Sequence, residues 1–279
     1  MNTHTYTFTL GHARCTVIAD GGTPATLDSM YMRFPNVKKA AMQSAWESLY
    51  GEEGEAPWSM NCLLVQTADY CVLVDTGIGA GSRGNTGQLL SRLQAVVPPD
   101  AVDTVIITHG HPDHIGGLVQ DGQLVFTNAE IVMQQEELAH WQSVAQKNVD
   151  YGRYLTPILD AVGSRLKLVN GRVDIVPGIE GFTAPGHTPA HMVLRLTFGD
   201  DTLLHIVDAW HSEVQLAHPE WSPRFDTDPQ QAAETRAALM AAAADESVQV
   251  LAYHLGFPGL GFVRRHGEAF RWETAVASL

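Results

Sequence analysis

The stretch THGHPDHIGG, residues 108–117, places His109, His111, Asp113 and His114 within six consecutive positions. Imidazole and carboxylate are the donor types that hold zinc, iron or manganese. In a loop leaving a strand, His109 and His111 can point the same way because they are two apart, while Asp113 and His114 lie around the next bend. Neighbouring side chains cannot all converge on one ion, so two adjacent ions are the more natural geometry. Other donors should then stand at the ends of other strands, and three do. His187 sits at the Pro-Gly turn of APGHTPAH, and His254 ends VQVLAYH. Asp208 ends the apolar segment LLHIVD, where an unpaired carboxylate would be costly to bury. Each alone reads as an ordinary strand-end residue; together with the loop they read as a metal constellation.

Two divalent ions roughly 3.5–4 Å apart can share a bridging hydroxide, polarise an ester-like oxygen and stabilise a leaving oxygen. Metal binding brings the pKa of water from about 16 towards about 7, which removes the need for a serine or cysteine nucleophile. The chain offers no convincing Ser-His-Asp alternative. The reaction class is hydrolysis at a carbonyl or phosphoryl centre, with Asp208 and Asp113 as catalytic candidates and Asp113 able to pass a proton to the leaving group. Asp75 and His191 are candidates to orient ligands from behind, with a purely structural hydrogen bond as the competing reading. Trp210, two residues past Asp208, and Phe257, after His254, are candidate pocket walls.

The elements that must position these residues alternate between strands and helices. YTFTLGHARCTVIADGG reads as one or two strands, residues 36–53 as a helix, and NCLLVQTADYCVLVDTG as a hairpin of apolar strands. GNTGQLLSRLQAVV is a helix, VDTVIITHG a buried strand leading into the donor loop, QLVFTNAEIVMQ two short strands and EELAHWQSVAQ a helix. RLKLVNGRVDIVPGIEGFTAPGHT reads as strands with turns at Asn170-Gly171 and Pro177-Gly178, and HMVLRLTFGDDTLLHIVDAW as a second hairpin turning at Gly199-Asp200. DPQQAAETRAALMAAAADE is a strong helix opening on Asp228 with Pro229 in its first turn. VQVLAYHLGF then closes as a strand. Strands followed by helices, twice over, point to a layered α/β domain with helices outside.

At 279 residues with 45% hydrophobic content, the chain can bury a substantial core. We expect a single domain over residues 1–279. Its segment 30–60, rich in Met, Tyr and Trp, is expected to act as a lid, a dimer contact or plain packing. The net charge of −14 argues against nucleic acid or an anionic membrane surface as partner. A small-molecule substrate, apolar and uncharged, is expected instead. The three cysteines suit buried positions in a reducing compartment. No apolar run is long enough to span a membrane. MNTHTYTFTLGHARC lacks the basic start and apolar core of a secretory signal, so a cytoplasmic protein is the default.

THGHPDHIGG resembles the HxHxDH motif of the metallo-β-lactamase superfamily. The resemblance extends to VDTG at residues 74–77, APGHTPAH, Asp208 and HLGFPGLG at residues 254–261, in that family's order. It looks most like the branch containing methyl parathion hydrolase, with the acyl-homoserine lactonases as cousins. The resemblance implies a four-layer αβ/βα sandwich, two mixed sheets face to face with helices outside. It also implies that His109, His111 and His187 bind one divalent ion, that Asp113, His114 and His254 bind a second, and that Asp208 bridges them. Zinc is the first expectation, with manganese, iron or cobalt as alternatives, and a homodimer is favoured. The implied function is a dinuclear hydrolase of esters, lactones or phosphotriesters, attacking with a metal-bridging hydroxide. The alternatives are iron-dependent redox or oxygen chemistry on the same scaffold, and glyoxalase II-like thioester hydrolysis. The first lacks its acidic replacement at position 111 and its flavin domain; the second lacks its helical C-terminal extension.

Overall fold

The computed structural model describes residues 4–81 and 84–275; the first three residues of the segment read for a secretory signal lie outside them. The first half of the chain runs β1 (Thr5–Leu10), β2 (Ala13–Gly21), α1 (Leu27–Arg33), α2 (Lys39–Tyr50), β3 (Met60–Gln66), β4 (Cys71–Val74), α3 (Leu89–Gln94), β5 (Thr104–Ile106), α4 (Pro112–Ile115), β6 (Val119–Gln120), β7 (Gln123–Leu124), β8 (Glu130–Gln134), α5 (Gln135–Lys147) and α6 (Val149–Val162). It continues with β9 (Leu166–Val169), β10 (Val173–Val176), β11 (Ile179–Thr183), β12 (Met192–Phe198), β13 (Asp201–Val207), α7 (Val214–Ala217), α8 (Pro229–Glu246), β14 (Gln249–Ala252), β15 (Leu260–His266) and β16 (Ala269–Thr274). One seven-stranded sheet has the order β1-β2-β3-β4-β5-β8-β9 and the other runs β10 to β16 in chain order. Both are mixed: β4, β5, β8 and β9 pair in parallel, and so do β13 and β14.

Period-two alternation in strands buried on both faces sorts their side chains into separate cores. In β3, Cys62 and Leu64 pack beneath the helices of the first sheet, while Leu63 and Val65 face the opposite sheet. The inter-sheet core takes Leu194 and Leu196 from β12, Leu203 from β13 and Leu251 from β14. On the far side, Leu204, Ile206, Val250 and Ala252 pack with Met240 and Ala243 of α8. The result is helix, sheet, sheet, helix: the four-layer sandwich expected above. No helix among the described residues is long and apolar enough to cross a membrane.

One local expectation holds in full. The helix at Asp228 is α8, whose first turn Asp228 caps by accepting from Gln231 N at 3.0 Å. The segment 36–53 contains α2 but is preceded by a separate helix, α1, capped by Thr26. The sequence reading missed α6, whose interior Gly152 and Pro157 obscure a helical face made by Leu155, Ile158 and Val162. The last strand is also not β14, since β15 and β16 extend the second sheet by a hairpin.

Segment 30–60 packs mostly on itself. Met30, Phe34, Met42 and Trp46 form a small cluster with Ala25, Val37, Ala56 and Val214. Replacing fully buried Leu194 by Ala should cost about 2–5 kcal/mol, read by denaturant unfolding. Met32→Ala, at a side chain 65% exposed, should stay within about 0.5 kcal/mol.

Candidate metal centre

The donors arrive from strand ends of both sheets at one edge of the sandwich. β5 runs through Ile107 and Thr108 into His109; His111 precedes Pro112, which opens the single turn α4 carrying Asp113 and His114. His187 follows β11, Asp208 comes directly after β13, and His254 ends the run from β14. Close approach requires glycine in this loop. A Cβ on Gly110 would lie 2.4 Å from Trp141, and one on Gly117 would lie 2.0 Å from the carbonyl of Thr76. These glycines permit packing against neighbours; Gly116 and Gly117 have no positive φ.

All seven donors expected from the sequence come together. His109 Nε2, His111 Nδ1 and His187 Nε2 are mutually 3.0, 2.9 and 3.3 Å apart. Asp113 Oδ2 lies 3.8 Å from His114 Nε2 and 3.4 Å from His254 Nε2. Between the two groups, Asp208 Oδ2 lies 3.2–3.7 Å from nitrogens of His109, His114, His187, His211 and His254. A tetrahedral zinc bound by imidazoles would set its nitrogens about 3.3 Å apart, close to the spacing of the first group. His114 Nε2 and Asp208 Oδ1 are buried without a hydrogen-bond partner, a cost that a shared cation would remove. The donor set therefore fits two divalent ions, one per group.

Electrostatics point the same way. Burial, then the neighbouring imidazoles, hold His109 well below its ordinary pKa, and burial with His187 brings His111 down to about 3. Burial also opposes charge on His114, yet Asp208, Asp75 and Asp113 override it and push its pKa well above the usual value. For Asp208, burial favours the neutral acid, but His254, His114 and His211 hold it far below the usual carboxylate range.

Each donor is aimed by a partner on its far side. Asp75 accepts from His114 Nδ1 at 2.8 Å and from Thr108 N and Oγ1. The Thr108 hydroxyl, donating to Asp75, can accept from His109 Nδ1 at 3.2 Å. His254 Nδ1 donates to the carbonyl of Ser59. His191 Nε2 accepts from Asp208 N at 3.2 Å while its Nδ1 reaches the carbonyl of Ala184. Asp75 thus lies behind His114, and His191 behind the backbone of Asp208. Val207, just before Asp208, has φ +50, a strained conformation for a β-branched residue costing about 1–3 kcal/mol. A register shift in the β13–β14 pairing falls there and turns Asp208 out of the strand.

Three contributors escaped the sequence reading. Asp226 accepts from His187 Nδ1 at 2.9 Å and pairs with buried Arg236 at 2.9 Å. Glu137, fully buried, accepts from Gly110 N, Trp141 Nε1, Thr188 Oγ1 and Ala190 N, joining the two histidine loops. His211, also buried, stacks on His254, with its Nε2 3.2 Å from Asp208 Oδ2. None of these residues lies in a motif, because each meets the site only through the fold. A cavity of about 300 Å³ opens above the donors, walled by Arg33, Trp58, Pro112, His211 and Phe225. Trp210 and Phe257 do not line it. Trp210 turns beneath the sheet against Met240 and Leu216, and Phe257 faces a neighbouring groove.

A family profile described as the metallo-beta-lactamase superfamily matches residues 56–254. An N-acyl homoserine lactonase of Bacillus thuringiensis is 26% identical over 173 residues, which are 54% of this chain and 64% of that protein. The chain therefore spans under two thirds of that relative's length. Metallo-beta-lactamase domain-containing protein 1 of Xenopus laevis is 31% identical over 172 residues, 61% of each chain. Among solved structures, AidC, a dizinc quorum-quenching lactonase in complex with a product, superposes with a TM-score of 0.90 at 26% identity over 99% of both chains. The hydrolase AbOPH, of the beta lactamase superfamily, gives 0.87 at 26% identity over the whole of both.

Two outcomes follow from the supports behind the donors. Asp75→Asn, which weakens the acceptor for His114, should lower zinc affinity roughly 10–100-fold in chelator competition. Glu137→Ala, which strands four buried donors, should cost about 3 kcal/mol or more in denaturant unfolding.

Proposed function

The chain belongs to the metallo-beta-lactamase superfamily, and from that premise we propose that it is a dinuclear metal-dependent hydrolase of lactones, esters or phosphotriesters. The observation that carries the reading is the single oxygen of Asp208 standing between two donor groups at the floor of an open cavity. His109, His111 and His187 would hold one ion, Asp113, His114 and His254 the other, and Asp208 would bridge. Zinc is our first assignment, because the donors are all imidazole and carboxylate and structurally similar AidC is dizinc. Lactones lead the substrate list because the relatives of comparable identity include lactonases.

Bound there, the ions would supply an activated water and polarise the scissile carbonyl or phosphoryl group. The chain's own side chains do the rest. Trp58, Pro112 and Phe225 offer apolar walls that hold the substrate body and exclude water. Asp113, 25% exposed and facing the cavity, is the carboxyl placed to pass a proton to the departing oxygen. His211 lines the cavity and can donate a ring N–H to oxygen charge developing on the substrate.

Purified protein should bind two zinc ions per chain by elemental analysis, and Asp208→Ala should bind fewer. Saturation at one ion or none would overturn the dinuclear reading. On a panel of lactones, aryl esters and phosphotriesters, turnover should fall by at least about a thousandfold in His111→Ala and Asp208→Ala. Absence of turnover across the panel with both ions bound would overturn the hydrolase reading.

A further inference from the structure

Arg33 closes α1 and projects into the wall of the donor cavity. Its guanidinium lies 5.1 Å over the ring of Trp58, and that ring stacks on His254 at 4.6 Å and 11°. Arg33, Trp58 and His254 thus follow one another from the cavity wall to a donor of the centre. Arg33 makes no hydrogen bond or ion pair through its guanidinium among the described residues. That is unexpected in a chain with 31 acidic residues and 17 basic ones. By contrast, Arg236, the other guanidinium near the centre, is fully engaged by Asp226 and three carbonyls. Burial alone draws the Arg33 pKa below its ordinary value, with no acidic neighbour contributing.

The position is held. The carbonyl of Arg33 accepts from Arg224 N at 2.7 Å, and the adjoining Phe34 is buried in the α1–α2 cluster. In the same cavity wall Phe225 is apolar and 42% exposed. A fixed, half-desolvated cation with no counter-charge is poorly matched to a neutral apolar ligand. It is well matched to an oxyanion, which the planar fork can bind through paired N–H donors.

We propose that Arg33 is a specificity residue and that the substrate is an ester or lactone carrying an oxyanion, in the simplest case a carboxylate, away from the scissile bond. The proposal rests on the hydrolase reading and departs from the uncharged substrate expected from the sequence. Neutral acyl lactones would then be poorer substrates than their carboxylate-bearing counterparts.

The test uses zinc-loaded full-length protein and para-nitrophenyl monoesters of adipate, pimelate and suberate, each with its free carboxylate or with that group capped as an amide. At the best chain length the free acid should be favoured by about tenfold or more in kcat/KM. Arg33→Gln should erase that preference, read as the ratio of kcat/KM for free acid and capped ester within the same variant. Arg33→Lys, which keeps the charge without the planar fork, should retain part of it. No preference at any length, or a preference that survives Arg33→Gln, overturns the proposal.

If neither form is hydrolysed, the hydrolase reading is still decided by the wider substrate panel, and calorimetry decides this proposal. Pimelate should bind about tenfold tighter than heptanoate in the wild type and equally in Arg33→Gln. Equal binding in the wild type overturns it.

Discussion

Everything near the centre answers to one buried carboxylate oxygen. Asp208 Oδ2 sits 3.2–3.7 Å from five imidazole nitrogens in a spot with almost no solvent. An isolated carboxylate there would be prohibitively costly to bury. The surrounding rings meet that demand through proton or cation, and they can do so only if strand ends from both sheets converge. The face-to-face packing of the sheets, with Leu63, Leu194, Leu203 and Leu251 between them, is what keeps that convergence in register.

Behind the rings lies a second set of buried acids, and their protein partners explain why the site is stiff. Asp75 ties His114 to Thr108, Asp226 ties His187 to Arg236, and Glu137 ties the loop of His111 to the loop of His187. A carboxylate with several N–H and O–H donors is satisfied where it stands, so the loops cannot drift without breaking charge-assisted bonds. The strained backbone at Val207 fits the same pattern: the surrounding bonds hold Asp208 in a direction the chain would not adopt alone.

The α1–α2 segment contributes differently. Its own small core keeps it folded against Val214, and it reaches the cavity through Arg33 and, at its far end, Trp58. The catalytic floor is thus assembled from the ends of sheet strands, while the walls come partly from an insertion between β2 and β3. Chemistry and selectivity therefore rest on separate parts of the chain.

The donors and the layered architecture were legible in the sequence for a physical reason. Metal-type side chains crowd into THGHPDHIGG, and strands buried on both faces read as continuous apolar runs such as NCLLV and LLHIV. Helix α6 was not legible, because Gly152 and Pro157 weaken a local pattern that packing against the first sheet rescues. Proximity along the chain also misled: Trp210 neighbours Asp208 in sequence, but the strand ends at Val207 and the chain turns there, so the two side chains no longer share a face and Trp210 packs against Met240 and Leu216. Glu137, Asp226, His211 and Arg33 carry no local signature whatever. What they touch depends on contacts across tens of residues, so only the tertiary structure decided which acid aims a ring and which cation waits at the mouth of the cavity.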